Sequence, residues 1–306
     1  MKKNKIMLRV LASTGMLRAL CLASLFFFSL IVMSCQQDDD VEFVSHPNPA
    51  YPQQAGMLRI LAIGNSFTTD ALYYFPCLID SAHIGRDRIC VYSATGRSMR
   101  LDQWLDVIKS GEEVELTANV KGVEMESKGT MRQLLSQPWD VVVIQQASDV
   151  SYRLSSYKCV SEYVEMIKSL CPNKRLCVFF QQVWSHTSKE DPYVFRANVS
   201  ISKRMEEVLG PGCVIPTGVA VQNARQTNLN DDMYMTRDKW HLNEGIGRYI
   251  AALTWYEKMV APVFGTAMED NMACPKGDYD AAELSMAKLC VRHAIDSPFA
   301  LYIPEE

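Results

Sequence analysis

Ser66, Asp238 and His241 are the residues whose types and spacing can carry out chemistry together. Ser66 closes the run Leu58-Arg-Ile-Leu-Ala-Ile-Gly-Asn-Ser66, an apolar stretch ended by Gly64 and followed by a helical pattern. An apolar run of this kind fits a central parallel strand, and a serine at its end lies at the carboxyl edge of the sheet, where open α/β sheets bind ligands. A serine hydroxyl is a weak nucleophile near neutral pH and needs an adjacent base; an imidazole suits, with a carboxylate to fix its tautomer and stabilise the imidazolium. Asp238 and His241 stand three residues apart in Thr236–Tyr249, in a loop leading into a helix, so one short segment delivers both base and acid. The plainer role for Ser66 is that of a helix N-cap, and for His241 that of a helix-entry residue.

Gly64-Asn65-Ser66-Phe67 followed late by Asp238-x-x-His241 resembles the SGNH (GDSL-type) hydrolases, a family of serine esterases and lipases. The resemblance spans about residues 57–262 and implies a flavodoxin-like three-layer α/β/α fold with Ser66, His241 and Asp238 as catalytic residues. Asn65 stands where most of that family has Asp, a departure common in its acetylesterase branches, and is a candidate substrate-binding residue. The family's second motif matches Gly96 in Ser93-Ala-Thr-Gly-Arg-Ser98, which implies a backbone N–H for the oxyanion beside that of Ser66; a simple turn glycine is the alternative. The family's Gly-x-Asn-Asp is missing. Gln145 and Gln146 occupy that loop, and either side-chain amide could donate to a developing oxyanion or merely satisfy backbone groups at a strand end.

The elements that must position these residues alternate between strand and helix. Strand patterns cover Leu58–Ile63, Arg88–Tyr92, Trp139–Ile144, Arg175–Phe180 and Gly212–Pro216. Helical patterns cover Asp70–Ala82, Leu101–Ile108, Ser151–Cys171, Pro192–Leu209, Gly218–Arg225 and Glu244–Ala261, the last capped by Asn243 and ended by Pro262. This alternation predicts a parallel, doubly wound sheet. Glu113–Met125 alternates around Lys121-Gly122 and reads as an inserted β-hairpin that either roofs a substrate site or pads the sheet edge. Asp280-x-x-Glu283 resembles a capping box opening a C-terminal helix that packs back on the domain. Trp184 and His186, after the fourth strand, fall on the same rim as Ser66, where an aromatic can stack on a sugar; a loop histidine is otherwise commonly solvent-exposed. Arg225 is placed to contact substrate or to pair with an acid.

Residues 1–34 form a cationic start and an apolar stretch of signal-peptide length, too short for a membrane span. Val32-Met33-Ser34-Cys35 resembles a lipobox, which implies lipidation at Cys35; a plain cleaved signal is the alternative. The acidic run Gln36–Asp40 resembles a surface-export signal or serves as a solvated tether, and residues 35–56, with the prolines between His46 and Gln54, read as a flexible linker. The mature domain is then residues 57–306, anchored in the outer membrane and monomeric.

Net charge is −4, which lacks the basic footprint of nucleic-acid binding. The ten cysteines contain no Cys-x-x-Cys pair, so zinc and redox motifs are unsupported, and no disulfide pairing can be read. No Gly-x-Gly-x-x-Gly, phosphate loop, Gly-x-Ser-x-Gly elbow or His-Glu-x-x-His occurs, so the chain offers no nucleotide, metal or other cofactor signal. The expectation is a serine esterase acting on carboxylic esters, with O-acetyl groups on a glycan implied by the resemblance. The alternatives are a non-catalytic glycan-binding lipoprotein on the same fold and a lipase or phospholipase, which would need an apolar cleft.

Overall fold

A computed structural model describes residues 41–51, 56–120, 123–186 and 192–302. The signal stretch and Cys35 lie outside the described residues. From Phe43 onward the described chain packs as one unit. Its centre is β1 (Leu58–Gly64), in which all residues but Arg59 are buried. A strand covered on both faces needs a continuous apolar run, and Leu58, Ile60, Leu61, Ala62 and Ile63 supply it.

β1 pairs in parallel with β2 (Ile89–Thr95) on one side and with β5 (Val141–Ile144) on the other. β6 (Cys177–Gln181) and β7 (Val214–Ile215) continue the parallel sheet beyond β5. The predicted hairpin is β3 (Glu113–Val120) and β4 (Val123–Thr130), which extends the sheet antiparallel beyond β2; its tip at 121–122 lies outside the described residues. The strand order is β4-β3-β2-β1-β5-β6-β7. Connections leave β1 towards β2 and later return to β5, so the order reverses at the carboxyl ends of β1 and β5, the point where open α/β sheets place ligands.

Helices cover both faces. On one lie α1 (Ser66–Leu72), α2 (Phe75–Ser81), α7 (Thr217–Ala224), α8 (Ile246–Trp255) and α9 (Ala281–Asp296), packed on Leu58, Ile60, Ala62 and Val143. The other carries α3 (Leu101–Ser110), α4 (Met131–Leu135), α5 (Val160–Leu170) and α6 (Tyr193–Leu209). The result is a three-layer α/β/α arrangement around a mostly parallel seven-stranded sheet. Among the described residues no helix is long and apolar enough to cross a membrane.

Four expectations change. The helix expected over Ser151–Cys171 is a short 3-10 turn at Leu154–Tyr157 followed by α5, which begins only at Val160. The helix expected over Asp70–Ala82 is two helices, and the first starts at Ser66, because the Asn65 side chain accepts from the Phe67 N–H as N-cap and Pro76 restarts the chain in α2. The helix expected over Glu244–Ala261 begins at Ile246 and passes into a π-helical turn at Tyr256–Val260; Asn243 still serves its start, its Oδ1 accepting the Gly247 N–H at 2.9 Å. The stretch 46–51, expected to be flexible linker, is strapped to the domain. Asn48 exchanges bonds of 2.7 and 2.8 Å with the Val178 backbone, and the Tyr51 hydroxyl donates to the Met259 carbonyl at 2.7 Å. The capping box of α9 is present, and Ala287, Cys290, Val291 and Ala294 bury its inner face.

Candidate active site

α1 carries Ser66 to the rim at the switch point. Gly64 is the hinge of this turn: a Cβ there would run into the Thr68 hydroxyl and the Gln145 side chain. Asn65 ends the strand and caps the helix, leaving Ser66 as the first helical residue. Of the first-turn donors, Phe67 N–H goes to Asn65 Oδ1 and the Thr68 and Thr69 N–H groups go to the Asn65 carbonyl. The Ser66 N–H is the first of the donors that a helix start leaves without an intrahelical partner.

The second half of the site comes from residues 236–242. Thr236 and Leu242 form an isolated antiparallel bridge, and the Arg237 N–H donates to the His241 carbonyl at 2.9 Å, so the segment folds back tightly on itself. Asp238 sits in that turn and accepts the Trp240 and His241 backbone N–H groups at 3.0 and 2.7 Å. Its other oxygen meets His241 Nδ1 at 2.6 Å, and His241 Nε2 meets Ser66 Oγ at 2.8 Å. Burial would raise the Asp238 pKa, but the hydrogen bonds from the His241 backbone and ring and from Trp240 outweigh it and hold the group down at about 2. The carboxylate is thus charged throughout the working range. It fixes the proton on Nδ1 and leaves Nε2 as acceptor toward the serine hydroxyl.

Three residues with no local motif of their own, Asp70, Arg237 and Arg248, hold the two halves together. Asp70, one turn after Ser66 on α1, is 1 % exposed. Its Oδ1 takes Arg237 Nη1 at 3.1 Å and Arg248 Nη2 at 2.8 Å, and its Oδ2 accepts the Leu242 N–H at 2.9 Å. The residues on either side of the Asp238–His241 segment are therefore clamped onto the helix that carries Ser66. The available signal was an acid at i+4 from the serine and two arginines flanking the Asp-x-x-His segment.

Backbone strain collects at the same place. Ser98, Tyr234, Met235 and Lys239 have φ of 54, 59, 58 and 72°, a region that L side chains seldom occupy. Asp231 supports the last loop by accepting the Met235 N–H and the Asn243 side-chain amide at 2.7 and 3.0 Å. Strained residues held by their surroundings cluster at functional sites.

The remaining site candidates fare differently. Gly96 donates its N–H to the Gly64 carbonyl at 3.1 Å, so that group is engaged in the β1–β2 seam rather than open to a substrate. Gln145 and Gln146 are both fully buried. Gln145 Nε2 donates to Asn65 Oδ1 and to the Gln146 carbonyl, and Gln146 Nε2 donates to Ser156. Both amides act as braces behind the site, which corrects the expectation that one of them faces an oxyanion. Asn65 is likewise buried; its Nδ2 makes a long 3.3 Å bond to the Met99 carbonyl.

Trp184 is not on the rim. It is fully buried, stacked on Phe67 at 4.1 Å, and its indole N–H donates to the Trp240 carbonyl at 3.0 Å, so it supports the histidine loop from below. Arg225 is also buried and touches no open surface. It donates to the Ser185 and Tyr234 carbonyls and lies over the Tyr234 ring at 4.1 Å, pinning the strained loop. His186 does reach the rim, where its ring stacks on Trp240 at 4.1 Å with the planes 9° apart. Trp240, 41 % exposed beside His241, offers the aromatic surface expected of Trp184. Its exposure could not be inferred from Lys-Trp-His alone.

The eight described cysteines, from Cys77 to Cys290, are free thiols. Among the described residues no cluster of three His, Cys, Asp or Glu side chains could hold a metal ion.

The chain is similar over 80 % of its length, and 97 % of the other's, to a crystal structure of a DUF4886 family protein from Bacteroides uniformis, with a TM-score of 0.71 and 26 % identity. No curated protein matches it. The model of a domain of unknown function, DUF4886, matches residues 59–289, a span that contains Ser66, Asp70, Asp238 and His241 alike. The chain therefore belongs to the DUF4886 family.

Proposed function

We propose that this protein is a serine ester hydrolase. The observation that carries the reading is the continuous relay from Ser66 Oγ through His241 to Asp238, with links of 2.8 and 2.6 Å, at the switch point of a parallel sheet. Ser66 Oγ attacks the ester carbonyl while His241 Nε2 takes its proton. In this reading the tetrahedral oxyanion lies against the Ser66 N–H at the start of α1, and Asn65 Nδ2, held only by a long 3.3 Å bond to the Met99 carbonyl, is the second donor. His241 then returns the proton to the leaving alkoxide, and the acyl group stays on Ser66. A water, deprotonated by His241, attacks that acyl-enzyme and releases the acid.

Two further features support the reading. The Gly-Asn-Ser-Phe and Asp-x-x-His segments resemble those of SGNH hydrolases, and the α/β/α layers suit the flavodoxin-like arrangement that this resemblance implies. Trp240, stacked on His186, offers a flat apolar face beside the histidine that protonates the leaving group. That position suits a sugar as the alcohol portion, so the substrate is an ester of a carbohydrate, of which O-acetyl is the simplest case. The lipobox-like Cys35 supports a location on the cell envelope, where polysaccharides are met.

The test is turnover of 4-nitrophenyl acetate and of acetylated oligosaccharides by the wild-type chain and by Ser66→Ala. Hydrolysis that falls by three orders of magnitude or more in the variant supports the assignment. Binding of polysaccharide with no hydrolysis of any ester would favour the glycan-binding alternative.

A further inference from the structure

A cavity of about 410 Å³ runs between α1–α2 and the outer half of the sheet, on the β2 side of β1. It follows one face of β2. Ile89, Val91, Ser93 and Thr95 alternate along that strand, and all four line the cavity. Six residue steps at ~3.3 Å make the trough about 20 Å long. The hairpin strand β3 forms its outer wall through Thr117, the register partner of Ser93.

One end of the trough comes up to the neighbours of Ser66, although Ser66 itself is not in its lining. Thr69 stands one helical turn from Ser66 on α1, and Thr95 is the register partner of Gly64, two residues before Ser66. Its lining is graded. Thr69, Thr95 and Ser93 make the Ser66 end polar, whereas Val91, Ile89 and Ile79 make the deeper part apolar. At the far end the exposed Asp80–Arg86 ion pair, at 2.6 Å, contributes to the lining.

The two sides of Ser66 have different chemical duties. His241 must protonate the leaving alcohol, so the alcohol portion lies with His241 and Trp240, whose carbonyl is held by Trp184 after β6. The acyl portion then points the other way along the sheet order, towards β2 and the trough. An ester whose carbonyl sits at the polar end and whose alkyl chain runs into the apolar part matches the gradient. A cavity of this size lies in the range of ligand pockets and is far larger than an acetyl group requires.

We infer that the β2 trough is an acyl-chain site, and that the enzyme hydrolyses esters of unbranched acyl groups several carbons long, with acetyl filling only the mouth. The inference rests on Ser66 acting as the nucleophile. The step conserves atoms as before: the Ser66 Oγ–acyl bond forms as the acyl–alkoxide bond breaks, and water releases the free fatty acid.

The experiment compares kcat/KM for 4-nitrophenyl acetate and octanoate in the wild type, in Ser93→Phe, which blocks the trough midway, and in Val91→Ala, which widens it. The wild type is expected to favour octanoate by about tenfold or more, the scale on which apolar pockets discriminate chain length. Ser93→Phe should erase that preference, and Val91→Ala should move the optimum to decanoate. Equal or better use of acetate by the wild type, or an octanoate-to-acetate ratio that neither variant moves, overturns the inference while leaving Ser66 as nucleophile. Calorimetry of octanoate with Ser66→Ala decides the trough independently of turnover. Binding with a negative heat-capacity change that is weakened at least tenfold by adding Ser93→Phe supports it, and absence of binding overturns it. Failure of every ester in the wild type would instead refute the esterase reading.

Discussion

The carboxylate of Asp70 accepts the backbone N–H of Leu242 at 2.9 Å, which joins the helix that begins with Ser66 to the residue that follows His241. The two residues are 172 positions apart in the chain. Through this bond and the ion pairs to Arg237 and Arg248, a buried acid sets the distance between hydroxyl and imidazole.

Asp70→Asn removes the charge that both arginines pair with inside the protein. Breaking one side of a buried ion pair costs about 3–5 kcal/mol. Urea unfolding should show that loss, and at temperatures where the variant is folded kcat should fall more than KM rises, because the relay loosens while the pocket remains. Asp70→Asn with unchanged midpoint and unchanged kcat would remove Asp70 from the account.

Asp238→Asn should act differently. Asp238 is about half exposed, so little stability is at stake, but the amide no longer fixes the Nδ1 proton. A loss of kcat on the order of a thousandfold or more follows from the wrong tautomer, by analogy with other serine relays. A fall of less than about tenfold would mean that His241 orients without it.

The pH dependence follows from the depressed Asp238 pKa of about 2. A carboxyl whose folded pKa lies below its unfolded value contributes stability that is fully present above the unfolded value near 3.8 and is lost as pH falls towards 2. Above about pH 4 the folded-state carboxylate is fully ionised, so stability in urea should differ between the wild type and Asp238→Asn by a constant amount there, and the wild type should lose more than the variant between pH 4 and 2. Parallel profiles through that window would contradict the depressed value.

Trp240→Ala should raise KM for an acetylated oligosaccharide by about tenfold and much more than for 4-nitrophenyl acetate, since only the sugar uses the exposed ring. The comparison of the two KM ratios checks it. Equal changes for both substrates would mean that Trp240 only shapes the loop.

How much of this was legible in the sequence depended on range. The apolar run ending in Gly64 and the Asp-x-x-His spacing are local signals, and both the sheet and the approach of Ser66, Asp238 and His241 could be read from them. What a side chain touches across the fold could not. Gln145 and Gln146 sit at a strand end like oxyanion donors, but their amide hydrogens already serve Asn65 and Ser156. Arg225 and Trp184 carry polar atoms suited to a rim, yet both are buried and satisfy backbone carbonyls there. The helix start at Ser66 was hidden because Asn65 rather than the serine is the N-cap. The strap at Asn48 was hidden because its partner, Val178, lies 130 residues away.

The most direct measurement is covalent labelling with a fluorophosphonate, read by peptide mass spectrometry. The account predicts stoichiometric modification at Ser66 that is abolished in Ser66→Ala and slowed by orders of magnitude in His241→Ala. Labelling at another residue, or labelling of Ser66 at the same rate without His241, would contradict it.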